Sequence, residues 1–78
     1  MFFKKLIRSN PDTVDIISED KREIFHIRRV AGCTTLIVEM SIHRFKEEWR
    51  ETFTGFATED EAIGFVRDLI NPCFIKEV

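Results

Sequence analysis

The sequence predicts an α+β fold: an antiparallel β-sheet of three to five strands in meander or hairpin order, with one C-terminal α-helix, residues 58–70, on its apolar face. Three observations carry this. Residues 58–70 combine a helix cap with apolar residues at helical spacing. Residues 22–30 and 33–42 alternate apolar and polar side chains about a central Ala31-Gly32. The step between these regions ends in Gly55, where a strand hands over to the helix.

The helix is the best-defined element. Thr58 and Glu61 form a T-x-x-E capping box, in which Thr58 accepts from the Glu61 N–H and Glu61 reaches back to the Thr58 N–H. Glu59, Asp60 and Glu61 place negative charge at the positive end of the helix dipole. Ala62, Val66, Leu69 and Ile70 make the apolar stripe, with Ile63 and Phe65 at its edges. Gly64 costs about 1 kcal/mol relative to alanine, which a close approach to the sheet would explain. Asn71-Pro72 ends the helix.

Ahead of it, residues 1–8 fit either a helical turn or a short strand, with strand preferred. Residues 9–12, Ser-Asn-Pro-Asp, make a turn, and residues 13–17 make a β-branched strand. Residues 18–21 form a polar turn. A two-residue turn at Ala31-Gly32 would pair Arg28 with Thr35 and His26 with Ile37. Parity then puts Phe25, Ile27, Leu36, Val38, Met40 and Ile42 on the face that meets the helix. Residues 44–54 suit helix or strand. A turn at 44–46 followed by a strand over 47–54 is preferred, with Trp49 and Phe53 joining the apolar face; Glu51 lands there too, which conflicts with that register unless it sits near an edge. Cys73, Phe74 and Ile75 pack over the core edge or add an edge strand.

The step F-x-G-F-x-T-x-x-E-A, Phe53 to Ala62, resembles the strand-to-helix step of three-stranded-sheet-plus-helix domains. Among these are the arm-type DNA-binding domains of phage integrases and the DNA-binding domains of plant ethylene-response factors. The resemblance covers ten residues and rests on a turn glycine and a helix cap. It implies the fold of the step and no activity.

Composition bounds the function. The chain has 78 residues, one domain by length, with 44% hydrophobic and 33% charged residues, as a folded domain requires. Its net charge of -2 disfavours non-specific nucleic-acid binding. The first fifty residues hold ten Lys and Arg against eight Asp and Glu, an excess of only +2. Two cysteines, Cys33 and Cys73, make no disulfide framework, and MFFKKLIR is too short an apolar run for a signal peptide or a membrane span. The expectation is a reduced, cytoplasmic protein that needs no membrane.

His26, His43, Cys33 and Cys73 lack the close ligand pairs that zinc sites use, and no glycine-rich phosphate loop occurs. A Cys–His nucleophile has no orienting group in view. The reading is therefore non-catalytic, with no cofactor and no metal. The mixed face of the sheet carries the candidate partner-binding residues Ile24, His26, Arg28, Thr35, Ile37 and Arg50. Its apolar members, with the Phe-rich termini, suggest docking on a protein partner or on a second copy as a homodimer. A phage- or mobile-element-type inhibitor or adaptor fits that description. The alternative is a nucleic-acid-binding module that uses the polar residues of the same face. It is the weaker reading, because Glu39 sits in the middle of that face and no aromatic side chain lies there to stack on bases.

Overall fold

The computed structural model describes residues 3–10, 13–69 and 74–77. Six strands and one helix follow in the order β1 (Phe3–Asn10), β2 (Thr13–Ser18), β3 (Glu23–Arg29), β4 (Leu36–Arg44), β5 (Glu47–Phe56), α1 (Glu59–Leu69) and β6 (Phe74–Glu77). They build one sheet in the spatial order β5-β4-β3-β2-β1-β6. The first five strands form an antiparallel meander, and β6 lies parallel to β1 at the far edge. A parallel partner requires a crossover, which α1 supplies by carrying the chain from one edge of the sheet to the other.

The class is the α+β one predicted, but the strand count corrects the expected three to five. The extra pairing comes from the two ends. The run FKKLIRSN is a strand that pairs with β2, and FIKE is an edge strand beside it. Both segments are short and mixed in pattern, so only the neighbouring strands decide their state. Pro11 and Asp12 of the predicted turn lie outside the described residues. So do Met1, Phe2, the helix stop at residues 70–72 and Cys73.

The core lies between one face of the sheet and α1. Val14, Ile16, Phe25, Ile27, Val38 and Val66 are fully buried, with Leu6, Leu36, Met40, Phe56, Ala62 and Ile63 around them. Strand parity explains the set, because directly opposed residues share a face: Leu6, Ile16, Phe25 and Met40 fall in one row, and Val14, Ile27 and Val38 in the next. The helix stripe is turned from the predicted one. Ile63 is buried and Leu69 is 46% exposed, because α1 meets β5 through Phe65, whose ring lies 4.8 Å from Phe53 and 5.1 Å from Phe56.

Thr58 caps α1 as predicted, accepting from the Glu61 N–H at 3.2 Å. The returning arm differs by one residue: Glu61 accepts from the N–H of Ala57 rather than that of Thr58. An ion pair between Arg8 of β1 and Glu59 ties the far side of the sheet to the first helical turn. At the opposite end of the sheet, Lys4 is 5% exposed and pairs with Glu23 at 2.6 Å, its ammonium lying 6.0 Å from the centre of the Phe25 ring.

The β3–β4 connection corrects the predicted register. Arg28 pairs with Ile37 and His26 with Glu39, two residues on from the expected partners. A turn closes on Val30, with the Cys33 N–H bonding its carbonyl at 3.0 Å and Gly32 at φ 81°. Residues 34 and 35 then extend the loop, where Arg29 donates to the Thr34 carbonyl at 2.6 Å. A shift of two keeps every side chain on its predicted face, since the period is two.

Candidate functional site

The helix-free face of the sheet gathers five of the six predicted residues. Ile24, His26 and Arg28 come from β3, Ile37 from β4 and Arg50 from β5. Thr35 does not join them in a strand: it precedes β4, exposed in the β3–β4 loop, because the hairpin closes two residues later than predicted. Ile37 is buried at 9% exposure beside Arg28, so it seals this face rather than presenting an apolar contact.

The polar members of this face pair with one another. Arg28 Nε donates to Glu39 at 2.6 Å across β3 and β4. His26 Nδ1 meets the Asp15 carboxylate across β2 and β3. Arg50 Nε donates to Glu48 at 2.7 Å, and His43 Nε2 lies 3.5 Å from the same carboxylate. The Arg50 hydrogen bond and nearby positive charge hold the Glu48 carboxyl below its ordinary pKa. Cross-strand pairs of this kind are the ordinary way a solvated sheet face satisfies its charges. Among the described residues no group of three or more His, Cys, Asp and Glu is placed to hold a metal ion, and Cys33 is a free, exposed thiol.

A different surface stands out on the helix side of the sheet. β4 and β5 are joined by a two-residue turn, Phe45-Lys46, closed by the pair Arg44 and Glu47. Phe45 adopts φ 55°, a left-handed conformation that side-chain sterics disfavour in a residue of this bulk, and its ring stands fully in solvent. Four residues on, Trp49 lies on the helix-side face opposite Ile42, yet it is 59% exposed. Ile42, Arg44, Glu47, Glu48 and Trp49 line one open groove at this end, and Phe45, Ile42, His43 and Arg44 help to line a second beside it.

Length explains why Trp49 is uncovered. The eleven residues of α1 span about 16 Å. The ten residues of β5 span roughly 33 Å. The helix leaves from the Phe56 end of β5, packs on Phe53 and Phe56 through Phe65, and then crosses towards the opposite edge. Among the described residues no element covers the Trp49 end of the strand. The bulge at Gly55, φ 91°, accommodates the extra residue between the Val38–Phe53 and Leu36–Phe56 pairs and so aims Phe56 at the core.

Parity assigned Trp49 to the apolar face, and that assignment holds; its exposure was the missed feature. The helix is about half as long as the strand, and which half it covers is set by where it crosses the sheet. Glu51, expected on the same face near an edge, is exposed there on edge strand β5. No protein-family model matches the chain, and neither a curated protein nor a solved structure matches it.

Proposed function

We propose that this is a non-catalytic protein that docks on another protein through the helix-side end of the β4–β5 hairpin. One observation carries the reading: Phe45 and Trp49 both stand in solvent at the turn end of one hairpin, with Trp49 opposite the half-buried Ile42. Large apolar side chains exposed to water mark partner sites, and tryptophan is among the side chains that contribute most when buried at an interface. The strained backbone at Phe45 adds to this, because a local cost at a surface tip points to a use outside the fold. The free thiol of Cys33 fits the reducing, cytoplasmic setting expected from the sequence. Among the described residues no helix is long and apolar enough to cross a membrane.

The nucleic-acid reading gains nothing from the geometry, since Arg28 and Arg50 are each bonded to a carboxylate. The test is site-specific photocrosslinking in a lysate of the source organism, with a photoreactive phenylalanine at position 45 or at position 52 on the opposite face. A discrete adduct from position 45, lost in Trp49→Ser, is the expected result. An adduct of twice the chain mass would identify the partner as a second copy. Crosslinking from position 52 and not from 45 would move the site to the helix-free face.

A further inference from the structure

β5 is a free edge of the sheet over ten residues. Half of its backbone N–H and C=O groups therefore point away from β4, ready to pair with another extended chain. Its helix-side row reads Glu47, Trp49, Glu51 at every second residue, opposite Arg44, Ile42 and Met40. All three are exposed, and among the described residues neither carboxylate is hydrogen-bonded or ion-paired. The charges of the other row differ in this respect, because Glu48 and Arg50 are bonded to each other.

We propose that β5 accepts an added strand from a partner protein, of the pattern basic–x–apolar–x–basic. The apolar residue would lie against Trp49, and the two Lys or Arg side chains against Glu47 and Glu51. This rests on the docking reading and names its occupant. Strand addition of this kind takes its affinity from main-chain hydrogen bonds and its specificity from alternate side chains. The pattern reads the same in both directions, so parallel and antiparallel addition meet the same charges.

On the helix-side row, registers centred near Trp49 oppose like charges when a second copy pairs. A two-fold pairing centred on Trp49 sets Glu47 against Glu51 of the copy on the helix-side row, and Glu48 against Arg50 on the other. One centred on Arg50 sets that arginine against itself, and one centred on Glu51 does the same with a carboxylate. Like charges directly opposed are destabilising. Charges on an edge commonly discourage self-association; in these registers the carboxylates that admit a basic strand face each other.

The chain has a single tryptophan, so its emission reports on this site alone. The probes are two disulfide-closed hairpin peptides whose outer strands read TKTVTKT and TETVTET, pre-ordered so that strand formation does not consume the binding energy. At low salt the basic hairpin should change Trp49 emission saturably, and the acidic one should not. Glu47→Gln with Glu51→Gln should weaken the basic hairpin roughly three- to thirtyfold, and circular dichroism should show the fold unchanged. No saturable response to the basic hairpin would overturn the proposal. So would equal responses to both hairpins, although that outcome leaves the docking reading standing. Crosslinking confined to the opposite face would instead remove the docking reading itself.

Discussion

Two polar clusters show how single residues hold the end of the sheet where β2 turns into β3. Lys4 is buried, and among the described residues the Glu23 carboxylate is its one ion-pair partner. Removing one partner of such a pair leaves an uncompensated charge. Glu23→Ala should therefore lower unfolding stability by about 3 kcal/mol, while the double change Lys4→Met with Glu23→Leu should stay within about 1 kcal/mol of the parent in urea unfolding. In the adjacent turn, Asp20 accepts from the Ser18 hydroxyl at 2.6 Å and the Arg22 N–H at 3.1 Å. The Ser18 bond first, then the Arg22 N–H, holds its pKa below the ordinary value. A depressed carboxylate pKa means stability present above the unfolded value and lost as pH falls through the folded one. Between neutral pH and about pH 3, Tm should fall less in Asp20→Asn than in the parent.

The elements were readable from sequence where one signal dominated. The T-x-x-E cap, the acidic first turn and the apolar spacing all favoured α1, whose first turn begins where they predicted and which runs through Leu69. The faces of β3 and β4 followed from alternation alone, which is why they survived a two-residue error in register. That error came from Val30, Cys33, Thr34 and Thr35, which are compatible with strand in composition, whereas the hydrogen bond from Cys33 to Val30 and the backbone at Gly32 make them loop. Gly64 is a different lesson. The expected close approach to the sheet is not there: a Cβ at that position would have no neighbour within 4 Å. Gly64→Ala should therefore stabilise the protein by about 0.5–1 kcal/mol in thermal or urea unfolding, without altering the fold.

At the scale of the whole molecule, a six-stranded sheet has one helix to cover it, and the helix covers one end of β5 but not the other. The candidate surface follows from that mismatch, through Trp49, Phe45 and the free β5 edge. Sequence parity placed Trp49 on the right face, but exposure depends on where α1 crosses, a tertiary fact that no local pattern carries. The mixed face, by contrast, was legible as a set of residues, and what the sequence left open was how Asp15, Glu39 and Glu48 pair with His26, Arg28 and Arg50. The most direct measurement is the emission of Trp49, with quenching by neutral acrylamide, across a dilution series of the purified chain. A surface kept open for a different protein predicts water-exposed emission and efficient quenching at every concentration. Blue-shifted, shielded emission that persists at the highest dilution would mean that the chain covers Trp49 itself, and the hairpin end would then be core rather than a docking surface.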